Sequence, residues 1–313
     1  MISRTASRSL AVLAAALAAV LLAGCGAGPS QVGAAAIVGD TAISLDQVQQ
    51  QIDSVLRKEP AAKQAQQQRK FDLVSRQIVS LKVRHELLKQ VAAAQHLRGD
   101  PAKAAATLQA AGGAQKASEG TVYGPAGIRQ QINDQELLAE LARKQLPGLA
   151  VTFDFIVADG PSQAKDLAHR LAADPGSAAA MVRHAATSGG SGGVGRRAVA
   201  AQDPQDAAGT PLFGLPAGSV AAFGLGGNNA RWLVVLVHKR ETAPTPANSA
   251  AAQQLDSQTL QQIGLHLLEP YVLGKDIKIN PRYGVWDSLG MEVSPSRAEA
   301  SGVLLTARGG ARS

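Results

Sequence analysis

Across 313 residues there is one cysteine, Cys25, so no disulfide framework is available and stability must come from packing. Aromatic residues make up 3% of the chain against 45% for all hydrophobic types, which predicts an aliphatic, alanine-dominated and helix-rich core. Negative charge is short as well: 31 Lys+Arg face 24 Asp+Glu, a formal charge of +7. That excess lacks any Lys/Arg block with interleaved aromatics, so nucleic acid is excluded as a partner. An anionic membrane surface or the acidic segments of a client would fit it. Long apolar runs are missing too, apart from Leu10 to Leu22, which is too short to span a bilayer as a mature helix.

That run is the hydrophobic part of a leader. Arg4 and Arg8 supply the positive charge ahead of it, and the small Ala23-Gly24 fits a peptidase pocket. Leu22-Ala23-Gly24-Cys25 therefore reads as a bacterial lipoprotein signal, in which diacylglycerol is attached to the Cys25 sulfur before residues 1–24 are removed. At ~0.8 kcal/mol per buried methylene, two or more acyl chains suffice for stable anchoring. The expectation is a protein held by lipid on the outer face of the cytoplasmic membrane. Cleavage takes away Arg4 and Arg8 and lowers the charge from +7 to +5. Residues 25–33, rich in Gly, Ala, Pro and Ser, read as a flexible tether.

Ala34 to Ile43 predicts two short strands around the turn dipeptide Gly39-Asp40. Ser44 with Gln47 three residues on is a capping-box pattern for a helix through about Arg57. Phe71, Val74, Ile78, Leu81, His85, Leu88 and Val91 recur at helical steps. Asp100-Pro101 opens another helix that Gly112-Gly113 ends, and Ile128 to Leu146 carries a fourth. From Val151 the period changes: a β-prone run to Ala158, helices near Gln163–Ala173 and Ser177–Ala186, a glycine-rich loop Ser188–Gly195, and a β-run Trp232–Val237. Ala243-Pro244-Thr245-Pro246 is a linker. A helix Leu255–Leu268 and a strand Lys275–Asn280 follow, the strand expected to stabilise the otherwise marginal N-terminal hairpin. From Ser294 onward Ser, Ala, Gly, Pro and Arg predominate, so 291–313 is expected to be a disordered tail.

Ala36 to Val48 resembles the start of SurA-type chaperone domains, a hairpin followed by a capped helix. Residues 151–243 resemble a parvulin, the small peptidyl-prolyl isomerase fold inserted in that family. The likeness rests on the strand Thr152–Ala158, Asp174-Pro175-Gly176-Ser177, the Gly192-Gly193-Val194-Gly195 motif and Gly209–Val220. Asn280 to Asp287 resembles the C-terminal segment of lipidated SurA-like proteins of high-GC Gram-positive bacteria. The resemblance implies an α+β fold: a discontinuous chaperone domain, 34–150 completed by 250–290, around the inserted unit 151–243. It also implies departures. Parvulins carry histidines on the first and last strands where this chain has Asp154 and Leu233, so the inserted unit is expected to be degenerate and no confident catalytic residue is assigned. Prolyl rotation has a barrier near ~20 kcal/mol, which a catalyst must lower by stabilising the twisted amide.

Phe153, Phe155, Phe213 and Phe223 are the candidates for a peptide-binding cleft, with core packing as the competing reading. His85, His169, His184 and His238 lack a visible partner in the sequence, so neither a metal site nor a Ser-His-Asp constellation is expected. The glycine run has no following Lys-Ser/Thr, so no nucleotide or other cofactor is expected. The expected function is chaperone binding of unfolded or newly exported polypeptides through apolar surface between two lobes. An active prolyl isomerase is the alternative, and a scaffold lipoprotein with one dedicated envelope partner is the second alternative.

Overall fold

The computed structural model describes residues 32–309 except 69, 227–230, 244–245 and 274, and of 246–249 the backbone alone. Residues 1–24 and Cys25 lie outside the described residues, and with them the expected leader and lipid attachment. The fold is α+β.

β1 (Ala34–Val38) and β2 (Thr41–Ser44) form the expected hairpin, with Gly39 at φ +57, a conformation that favours glycine. Ser44 caps α1 (Leu45–Lys58), its hydroxyl accepting from the Asp46 and Gln47 amides, and Val48, Ile52 and Val55 face inward. After α2 (Pro60–Gln67), the long helix α3 (Phe71–Gln95) buries Ile78, Val83, Leu87 and Val91. Asp100 caps α4 (Pro101–Ala110) by accepting from the Lys103 amide. Gly112-Gly113 does end α4, but Gly113 also starts the short α5 (Gly113–Ala117). Then α6 (Pro125–Gln145) runs to a turn at Leu146-Pro147.

The second unit comprises β3 (Leu149–Ala158), α7 (Pro161–Ala173), α8 (Ala178–Thr187), β4 (Gly192–Val199), α9 (Pro204–Gly209), β5 (Ser219–Gly224) and β6 (Trp232–Thr242). The glycine run expected to be a loop is half strand. A Cβ at Gly192 would lie 2.8 Å from the Phe155 carbonyl oxygen, and one at Gly193 would lie 2.7 Å from the Phe155 ring. These glycines let β4 approach β3, which is one reason for glycine inside a strand.

The chain then returns. α10 (Pro246–Gln253), α11 (Ser257–His266) and the single turn α12 (Glu269–Val272) lead to β7 (Ile277–Ile279), which lies antiparallel to β1 with Val38 opposite Ile277. β8 (Val285–Asp287) pairs with β9 (Glu292–Ser294). Residues 291–309 correct the expectation of a disordered tail over 291–313: β10 (Gly302–Thr306) pairs residue for residue with β5, and Met291 is fully buried. Small polar residues around it mask the apolar run Val303-Leu304-Leu305, which is what an edge strand on β5 needs; 310–313 lie outside the described residues. The large sheet has the order β10-β5-β6-β3-β4, antiparallel throughout.

One apolar core runs from the helices into this sheet and includes Ile78, Leu87, Leu141, Phe153, Phe213 and Val235. The other sheet face packs under α7 and α8 through Ile156, Ala168, Leu171, Met181 and Val234. The expected open crevice between the lobes is therefore a packed interface. No helix among the described residues is long and apolar enough to cross a membrane.

Candidate functional site

The expected aromatic cleft does not form. Phe153, Phe213 and Phe223 are 7%, 1% and 2% exposed and belong to the shared core. Phe155 is half-buried, its ring 6.1 Å from that of Phe153. With so few aromatics the chain spends them where burial of large apolar area counts most. They form no common client surface.

Asp154 and Leu233 do not come together either. Phe153 and Phe155 pack into the core shared with the helices, so alternation along β3 turns Asp154 to the α7–α8 face. Leu233 packs on the Phe153 side. Asp154 instead meets His238, one of the histidines that lacks a visible partner in the sequence, at 2.9 Å from Oδ2 to Nε2. Both strands flanking β3 bulge at this point. On β6 the register jumps from Thr152–Lys239 to Phe153–Val237, leaving His238 as the extra residue. On β4 it jumps from Phe153–Arg196 to Phe155–Gly193, and Gly195, at φ +60, donates its amide to Asp154 Oδ1 at 2.7 Å. Paired bulges around a buried carboxylate re-aim side chains in the way bulges beside functional sites do. The result is an exposed imidazole oriented by a buried acid.

An open groove lies elsewhere, between α3, α6 and α11. These helices enclose a groove of about 490 Å³ floored by Leu81, Leu88, Leu138, Leu265 and Leu268. Gln131, Gln135, Gln258, Gln261 and Gln262 line its walls. The side-chain amides of Gln135, Gln258, Gln261 and Gln262 have no partner among the described residues. Gln131 accepts from the Tyr123 hydroxyl at 2.6 Å. Burial, and secondly the charge of Asp134, pushes that phenol's pKa up, so it remains a donor. His85 is likewise partnered, its Nδ1 at 2.9 Å from Asp134 Oδ2. A further hollow of about 240 Å³ adjoins through the shared Leu81, Gln131 and Asp134.

Helical spacing makes this groove. Asp134 and Leu138 stand one turn apart on α6, Leu81, His85 and Leu88 on α3, and Gln258, Gln261 and Leu265 on α11. Gly264 permits the closest approach, since a Cβ there would stand 2.1 Å from the Leu138 carbonyl oxygen. Sequence periodicity yields the α3 stripe, while the rim of free amides emerges only when α11 is laid beside α6.

At the junction of the lobes the sequence carries a signal easily passed over, His266 and Glu269 at i,i+3. Their Nδ1 and Oε1 are 2.9 Å apart, and Glu269 is fully buried. Burial drives the Glu269 pKa well up and the His266 pKa down to about 4. The Ala208 backbone opposes this shift on the imidazole, but less than burial drives it. Both shifts favour the uncharged forms, a carboxylic acid beside a neutral imidazole. Beside it Arg240 donates to the Phe213 carbonyl at 3.1 Å and to Gln145 Oε1 at 3.0 Å, tying β6 to both α6 and the turn before β5.

Among the described residues no three His, Cys, Asp or Glu side chains cluster in a way that would hold a metal ion. Neither a known protein family nor a curated protein matches this chain.

Proposed function

We propose that this protein binds unfolded polypeptides as a chaperone, tethered by lipid on Cys25 outside the cytoplasmic membrane. The observation that carries the reading is the groove: a leucine floor beneath four glutamine side-chain amides that have no partner among the described residues. An extended chain offers apolar side chains and a repeating N–H and C=O, and primary amides complement both donors and acceptors. Neutral amides also accept many sequences, as a low-specificity binder requires. The resemblance of the N-terminal and middle segments to SurA-type and parvulin units supports the same reading.

The test is light scattering from a chemically unfolded model protein diluted into the detergent-solubilised full chain. Suppression of aggregation is expected, and replacing both Leu138 and Leu265 by Gln should weaken it roughly tenfold if the apolar floor supplies the affinity. Undiminished suppression by a folded double variant would remove the groove from the account. For the anchor, incorporation of labelled palmitate is expected in the wild-type chain and not in Cys25→Ser.

A second reading, prolyl isomerisation, is favoured by one observation, the His238 imidazole held by buried Asp154. Turnover in a protease-coupled prolyl assay that disappears in Asp154→Asn and His238→Ala would place that chemistry on the sheet. Turnover indifferent to both substitutions would take it away from the dyad.

A further inference from the structure

One stretch of chain near the C-terminus touches both lobes. β9 lies across α3, where the Val293 amide donates to Ser80 Oγ at 2.8 Å and Arg84 donates through Nε to the Met291 carbonyl. The chain then passes through the largely exposed residues 295–301 and lays β10 along β5. β5 is buried from Ser219 to Phe223, whereas the β10 residues covering it are half-exposed. Without β10 the β5 edge would present a row of unpaired N–H and C=O groups beside apolar surface.

We propose that the β5 edge is a second polypeptide-binding site, which takes an extended client segment by strand addition, and that β10 is the resident occupant keeping it closed. The inference rests on the polypeptide-binding reading above. The contacts that fix the ends of β10 come from its backbone: Ser301 N–H to Asp287 Oδ2 at 2.6 Å, Ala307 N–H to the Gly218 carbonyl at 2.9 Å and Arg308 N–H to the Ala172 carbonyl at 2.8 Å. Any extended chain can offer the same amides. Arg84, which holds the strap, also lines the groove, so one client could meet both surfaces.

The register specifies the client segment. Gly302 lies opposite Phe223, and a Cβ there would stand 2.2 Å from the Ala222 carbonyl oxygen. The entering strand must place glycine at that position. Val303 and Leu305 then pack on the α7 side of the sheet and Leu304 on the helical-lobe side. The preferred segment is glycine followed by three apolar residues.

The probe is a fluorescent peptide of residues 299–308, titrated by anisotropy into the full chain carrying Cys25→Ser in detergent. In the chain, Gly302→Val expels β10 without altering β5, so peptide affinity should rise roughly tenfold or more as the open state becomes populated. In the peptide, the same substitution should abolish binding. Leu304 and Ala221 are cross-strand neighbours, and cysteines at both positions supply a lock that keeps the test decisive if the Gly302 variant does not fold. Oxidation should close the site to the peptide and reduction reopen it. Peptide binding that ignores the lock, or ignores Gly302→Val in the peptide, overturns the edge site. Aggregation suppression by the locked chain should be reduced relative to its reduced form; equal suppression would show that clients do not use this edge, while the groove reading stands or falls on its own leucine variants.

Discussion

Between α3, α6 and α11 the leucines Leu81, Leu138 and Leu265 remain half-exposed along a groove, whereas the sheet lobe withdraws Phe153, Phe213 and Phe223 from solvent almost entirely. Both lobes draw on the same alanine-rich composition, yet one leaves leucines open along a groove and the other withdraws these three aromatics. The difference lies in what surrounds the apolar groups. Helical walls end in glutamines that tolerate water and polypeptide alike, while a sheet covered on both faces leaves its aromatics no opening. Apolar type alone therefore does not mark an open surface; its polar neighbours do.

Phe213→Ala tests the comparison most severely. As a core residue it should cost about 4 kcal/mol in urea unfolding, with client suppression per folded molecule unchanged. Lost suppression at wild-type stability would make it a client contact after all. Gly264→Val pushes α11 from α6 and should cost about 3 kcal/mol through overpacking, and the same displacement should widen the groove and weaken client binding.

The buried His266–Glu269 pair sharpens the comparison through pH. Glu269 has a folded pKa above its ordinary value of 4.5, so its contribution is complete below that value and is lost as pH rises toward the folded pKa. His266 is opposite: its folded pKa of about 4 lies below 6.5, so its contribution is complete above 6.5 and is lost as pH falls toward 4. As pH rises from 4.5 the two slopes oppose each other. From 4.5 up to its folded pKa Glu269 should erode stability, by up to about 1.4 kcal/mol per pH unit. Glu269→Gln keeps a hydrogen-bonding group beside Nδ1 and should flatten this decline, making the variant the more stable chain above the folded pKa of Glu269 in thermal unfolding. A decline that persists in Glu269→Gln would assign it to other groups. The smallest effect is expected at the cap of α11, where Asp256 accepts from the Thr259 amide at 2.9 Å. Asp256→Ala should cost about 1 kcal/mol and reduce client binding only through fraying of one groove wall.

The caps at Ser44 and Asp100, the α3 stripe and the return strand β7 are legible in the sequence because each depends on local spacing or on one obvious need for a partner. β10 is not, since its three apolar residues sit in a stretch whose composition argues for disorder, and only the waiting edge of β5 makes them a strand. The Asp154–His238 contact hides for another reason. Straight alternation along β6 places Leu236 opposite Asp154, and His238 reaches the carboxylate because a bulge gives it a place outside the ladder. The groove is half legible: helical periodicity marks its floor, but which glutamines share its rim depends on how three distant helices meet.

The return of the later chain to the two larger sheets, β7 beside β1 and β10 beside β5, sets an order on biogenesis. A nascent chain leaving the ribosome, or threading a translocation channel, with its N-terminus first has every helix of the groove before it has the last strand of either sheet. Neither lobe has its last strand until chain beyond the groove helices emerges, so the architecture itself delays commitment to the native state until β7 and then β10 have been delivered.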